Sequence, residues 1–209
     1  MPTPNKDVLQ LRAEIAALAA RMIAQDGADY DTARRKAARQ MLGVDSPSPN
    51  LMPDNMQIEE QVRQYQALFG GPGQAERLLA LRETALQVMD QLADFRPYLT
   101  GAVLNGTAGA HDDIHLQLFA DSAKEVEIFL LNRNVNIEIS ETSHFKGGRH
   151  DPVETVSFMW HKETIHAELY DFHDLRGALK PRADGRLQRV DAAGLRALMA
   201  NDEGLLVKP

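Results

Sequence analysis

The order and period of the apolar residues predict an α+β protein, with a mixed sheet of about five strands, flanking helices and an N-terminal helical extension. Up to about residue 95 the apolar positions recur at three- and four-residue spacing, as on helices. From residue 99 onward they come in short runs that alternate with polar residues, as on strands. Glycine- and proline-bearing breaks punctuate both regions and set the lengths of the elements.

Composition limits the classes of function. A 209-residue chain with 44% hydrophobic and 25% charged residues can bury a sizeable core. Cysteine is absent, which removes disulfides and thiolate metal sites and fits a reduced, cytoplasmic setting. The opening MPTPNKD leads into no apolar stretch of signal-peptide length, and no run approaches the ~18 apolar residues of a membrane span. A soluble chain is expected. The net charge of −7 argues against a general nucleic-acid coat. Its basic residues are nevertheless clustered, at Arg34, Arg35, Lys36 and Arg39 and again at Arg176, Lys180, Arg182, Arg186 and Arg189. Such runs are first of all solvated faces, and RNA is the partner that clusters 34–39 and 176–189 could take.

Taken in order, Leu11, Ile15, Leu18 and Met22 place a helix over about 6–24, and Asp31 and Gly43 bracket a second over 31–42 as N-cap and C-terminal stop. These two form a helical hairpin, 1–45. The stretch SPSPNLMPDN, with three prolines, marks a linker, 46–57, and the remainder, 58–209, forms the α+β domain. Helix resumes over 58–69, breaks at Gly70-Gly71-Pro72-Gly73, and continues over 74–95, where Leu78, Leu81, Ala85, Met89 and Leu92 make a core-facing stripe. Residues 99–104 form a short apolar strand run. Ser122 with Glu125 reads as a capping box for a helix ending near Asn132. Val135, Ile137 and Ile139 alternate as a strand, and 153–160 with 165–172 make a hairpin about His161–Thr164. A last helix runs from Asp191 to about Ala200.

The stretch with most chemical content is GTAGAHDDIHLQLF, residues 106–119. Small residues at Gly106, Thr107, Ala108 and Gly109 allow a tight turn and a close backbone approach to a ligand. Beyond them Ile114, Leu116 and Leu118 alternate with Asp113, His115 and Gln117, which puts a carboxylate and an imidazole on one polar strand face. Further on, His166, Glu168 and Tyr170 share a face of the second hairpin strand. His111, His115 and His166 fall on or beside the proposed face, whereas His144, His150, His161 and His173 belong to loops or turns. Transfer of a nucleotidyl group needs small residues and N–H groups for a triphosphate, with carboxylates on neighbouring strands for a divalent metal.

On these residues the chain resembles the nucleotidyltransferase superfamily of DNA polymerase beta and the poly(A) polymerases. Leu104-Asn105-Gly106-Thr107 stands where the family has Gly-Ser, Asp113-Ile114-His115-Leu116 stands at its Asp-apolar-Asp, and 153–176 is similar to the hairpin bearing its third acid. The resemblance, over roughly 77–180, implies nucleotide binding by Gly106, Thr107 and Gly109. It also implies catalysis and metal binding by Asp113, His115 and Glu168, with NTP as substrate and an acceptor that remains unknown. Glu138 is the rival third acid. His115 in place of the second Asp is the serious departure: it removes an anionic oxygen from a magnesium or manganese site and favours softer ions such as zinc. A catalytically degenerate binding or regulatory module is therefore the alternative expectation.

Overall fold

The computed structural model describes residues 6–45, 47–147, 149–175 and 186–206. Of the second basic cluster, Arg176, Lys180 and Arg182 lie outside these described residues. The chain forms two compact units, 1–77 with 106–111, and 78–105 with 112–209.

The first unit is helical. It holds α1 (Lys6–Asp26), α2 (Tyr30–Leu42) and α3 (Asn55–Phe69), with a 3-10 turn at Pro49–Leu51 in the proline-bearing segment. Its core is built from small side chains. Ala16, Ala19 and Ala20 of α1 and Ala33, Ala37 and Ala38 of α2 are buried with Ile15, Ile58 and Val62, so the helices pack backbone-close through alanine. The N-cap of α2 is Asp29 rather than Asp31, because the Asp29 carboxylate accepts from Thr32 N at 2.9 Å. Gly43 ends this helix at φ 66°, the left-handed geometry that glycine adopts without strain. The third helix starts three residues earlier than its apolar period suggests, since Asp54 and Gln57 form a reciprocal capping box.

The second unit is the α+β part. Its sheet comprises β1 (Tyr98–Thr100), β2 (Ile114–Ala120), β3 (Ile137–Thr142), β4 (Val153–Trp160) and β5 (Glu163–Asp171), in the order β1-β2-β5-β4-β3. Only the β2–β5 pair is parallel. The sheet is thus mixed and five-stranded, with helices flanking it. Before it, α4 (Gly71–Gln91) starts in the first unit and ends in the second. Then come α5 (Gly101–Asn105), α6 (Ala123–Leu131), α7 (Phe172–Leu175) and α8 (Ala192–Leu206). Ile114, Leu116 and Leu118 of β2 and Ile165, Ala167 and Leu169 of β5 form the buried apolar face. On β4, Phe158 meets Val88 and Leu92 of α4 and Leu130 of α6 around an apolar cavity of about 200 Å³. No helix of the described residues is long and apolar enough to cross a membrane.

A further element differs from the sequence expectation. The apolar run 99–104 is strand only as far as Thr100 and then turns into α5. Gly101, at φ 70°, ends the strand. The buried Arg82 supports the short helix, donating from Nε to Val103 O at 3.1 Å and from Nη2 to Leu104 O at 3.4 Å. Those carbonyls have no partner within the helix, which is why a buried guanidinium is stable there.

A Cβ at Gly101 would meet the His115 side chain no closer than 3.7 Å, so space is available and the backbone is the obstacle. Gly101→Ala should therefore cost about 1–2 kcal/mol, the penalty of a left-handed conformation for an L-residue. The urea unfolding midpoint measures this; an unchanged midpoint would contradict the backbone argument.

Candidate functional site

The polar face of the sheet carries a row that crosses all five strands. Cα pairing joins Thr100 to His115, His115 to His166, His166 to Ser157 and Ser157 to Glu138. Directly paired residues share a face, so these side chains line up. A second row, one alternation further, runs Tyr98, Gln117, Glu168, Thr155 and Ser140.

Within the first row, the imidazoles of His115 and His166 are stacked, with centroids 5.0 Å apart and planes inclined by 28°. His166 Nε2 lies 3.2 Å from Asp113 Oδ2, and its Nδ1 lies 2.8 Å from Ser157 Oγ. When the Nε2 proton is directed at Asp113, Nδ1 accepts from the Ser157 hydroxyl, and both ring nitrogens are satisfied. Thr100 Oγ1 donates to His115 O at 3.3 Å and fastens β1 to the centre of the row.

The His115 imidazole is held below the ordinary His range. Desolvation by the surrounding protein is the first cause and the neighbouring His166 the second, while Glu168, Asp113 and Asp112 act in the opposite direction. The ring keeps an open side to solvent, since His115 counts among the exposed residues of β2. Glu168 is occupied differently: Tyr170 Oη donates to its Oε2 at 2.7 Å. Burial first, and then this bond to Glu168, hold the phenol protonated far above its usual range.

The expected residues share one face but take different partners. Asp113, His115 and His166 come together. Glu168 lies on the same face of a neighbouring parallel strand, but its partner is Gln117. Asp113 stands just before β2 and reaches His166, two residues ahead of Glu168 on β5, and both carboxylates act on His115. Glu138 stands beside Ser157 at the other end of the row and is exposed. Among the described residues, no three His, Cys, Asp or Glu side chains converge to hold a metal ion.

Gly106, Thr107 and Gly109 belong to the first unit. Gly106 adopts φ 77°, as a tight turn requires, and the carbonyls of Thr107 and Ala108 accept from Gln66 and Gln74 at 2.8 and 2.9 Å. The Thr107 hydroxyl, expected as a phosphate donor, is buried and has no hydrogen-bond partner among the described residues.

Two contributors were not singled out from sequence. Ser157 is one serine of an alternating strand, and only the β4–β5 register places it on His166. Arg189 belongs to a basic cluster read as solvated, yet it is half-buried over the rings of Tyr98 and Phe119 at 4.9 Å each and donates to Gln117 Oε1 at 3.3 Å. No family model matches the chain, and neither curated proteins nor solved structures give a significant match.

The lowered His115 pKa has a defined consequence for stability. A histidine whose folded pKa lies below its unfolded value holds fewer protons when folded, so protonation favours unfolding. Its contribution is full above ~6.5, the unfolded value, and is lost as pH falls from there towards the folded pKa. The His115 Cε1 proton should titrate by NMR with a midpoint below 6.5, and His115→Gln should flatten the stability profile on the acid side of that value. A midpoint at or above 6.5 would contradict the assignment.

Proposed function

We propose that the chain is a divergent nucleotidyltransferase-like module that binds a nucleotide on the polar sheet face and does not transfer it. The observation that carries this reading is the pairing of His115 with His166 beside Asp113, where the resembling family uses carboxylates. A magnesium-dependent transferase gathers several anionic oxygens around a hard cation. Here one carboxylate is bonded by an imidazole, another is held by Tyr170, and the central position is a histidine biased to its neutral form. That donor set does not fit magnesium. It does suit phosphate and ribose groups: the His115 N–H can donate to a phosphate oxygen, and the lone pairs of the Ser157 and Thr100 hydroxyls can accept from ribose, without a metal. Nucleotide from a cytoplasmic pool is the proposed ligand. A triphosphate-holding role for Gly106, Thr107 and Gly109 is a separate proposal, tested by the effect of Gly106→Val on nucleotide binding.

The competing reading keeps turnover: Asp113, His115 and Glu168 would support transfer of a nucleoside monophosphate to an unknown acceptor with manganese or zinc. Thermal melting with each of the four ribonucleoside triphosphates, with and without magnesium, manganese or zinc, separates the two when combined with a labelled-nucleotide incorporation assay. We expect at least one triphosphate to raise the Tm by several degrees without added metal. Saturation at 100 times Kd corresponds to about 2.7 kcal/mol of stabilisation. The shift should shrink in His166→Gln, and no label should be incorporated. Incorporation that disappears in Asp113→Ala would establish transfer in place of binding. If no triphosphate shifts the melt under any condition, both readings fail.

A further inference from the structure

The first unit carries a basic groove that the proposed nucleotide site does not use. Thr32, Arg35, Lys36 and Arg39, together with Asp45, line a groove of about 310 Å³. The four residues on α2 follow the spacing i, i+3, i+4 and i+7, so one hydroxyl and three cations form a single stripe on one helix face. The opposite side of α2 is fixed by burial of Ala33, Ala37 and Ala38. That anchoring points the stripe outward.

The charges on the stripe are weakly compensated. Arg39 approaches Asp45 only to 3.9 Å, both side chains being well exposed, and Arg35 Nε donates to the backbone oxygen of Asp31 at 3.2 Å. Lys36 makes no ion pair among the described residues. The neighbouring Arg34 is different: it pairs with Asp31 at 3.1 Å, bonds Asn55, and does not line the groove. Three cations face Asp45 on the lining and Asp29 beside Arg35 and Thr32, which leaves the groove positive in a chain whose net charge is −7. The concentration of positive charge is local and one-sided.

We infer that this stripe is a docking surface for single-stranded RNA, held through its phosphate backbone. Arg35 and Arg39 lie one helical turn apart, about 6 Å at 1.5 Å per residue, which lets consecutive phosphates of a flexible strand meet successive guanidiniums. Guanidinium forks match phosphate oxygens, and the Thr32 hydroxyl, whose proton goes to the Asp29 carboxylate, keeps lone pairs that can accept from a 2′-hydroxyl. An anionic membrane is a poorer fit, because the apolar side of α2 is buried and offers nothing to insert into lipid. No aromatic ring lines the groove, so bases are not stacked and recognition is independent of sequence. The inference stands apart from the nucleotide reading, since it concerns other residues in the other unit.

Fluorescence anisotropy of the full chain with a fluorescein-labelled uridine 12-mer tests it over a series of salt concentrations. Three phosphate contacts to a single strand predict a slope of log K against log salt of about −2, from roughly −0.7 per contact. Lys36→Glu should weaken binding at least tenfold at low salt, and Arg35→Glu/Lys36→Glu/Arg39→Glu should abolish it. Circular dichroism and melting show whether each variant is folded, and the single exposed substitution keeps the test decisive if the triple variant is not. Lys162→Glu, an equal charge change in the second unit, should leave affinity within twofold once the change in net charge is screened by salt. Binding that survives the groove substitutions, or a slope near zero, would overturn the proposal. Equal affinity for a thymidine 12-mer would overturn the assignment to RNA, and capture by phosphatidylserine vesicles without oligonucleotide binding would replace it with a membrane surface.

Discussion

The polar face depends on one register, the parallel pairing of β2 with β5. His115 stands across from His166 and Gln117 across from Glu168. A slip by one residue would turn Ile165, Ala167 and Leu169 out of the core, so the apolar pattern excludes every odd offset. A slip by two would keep the core face intact while moving His115 away from His166. The β4–β5 register is a separate, local matter: a tight turn in which His161 takes φ 54° joins the two strands and sets Ser157 against His166, whereas the β2–β5 offset goes with the long-range bond of His166 to Asp113. The chemistry of the face is a by-product of hydrogen-bond registration in a central strand pair.

Elements governed by local rules were legible in the sequence. The strand over Val153–Trp160, the Gly43 stop and the change from helical to alternating period are all readable from neighbours in sequence. Two features were not. Residues 99–104 look like a strand in period, but Gly101 in a left-handed geometry and Arg82, some twenty positions upstream, convert the second half into helix. The partner of Asp113 was the other. Both His166 and Glu168 lie on the correct alternation, and period alone cannot rank residues two apart. Only the pairing of distant strands, a long-range property, assigns His166 to the carboxylate and Glu168 to Tyr170.

The two ends of the polar face differ in character for reasons of packing. At the Asp113 end, imidazoles and hydroxyls satisfy each other and the side chains remain partly open. At the other end Phe119 is fully buried against Tyr170 at 5.6 Å and Tyr98 at 5.7 Å, with Arg189 laid over the rings. Burial lowers the Arg189 pKa, yet a guanidinium remains charged at any physiological pH. It therefore contributes a fixed positive charge set in aromatic surface, close to the second row through Gln117. The face combines one rigid, cationic end with one titratable end.

The sheet also has two unlike margins. Along β1, Leu99 and Val190 exchange backbone hydrogen bonds at 2.8 and 3.1 Å, so a segment of the chain itself covers that border. Among the described residues, no strand lies beyond β3 in the sheet order. An uncovered strand offers a row of unpaired amides to any other extended chain, and Ile139, with half of its surface exposed, would add apolar contact to such an encounter. The sequence counters this with Glu138 and Glu141, one on each face of the same short strand. Two copies meeting edge to edge would bring four carboxylates into one ribbon. Repulsion there acts before any specific contact forms, so β3 can remain open at high concentration without nucleating an intermolecular sheet.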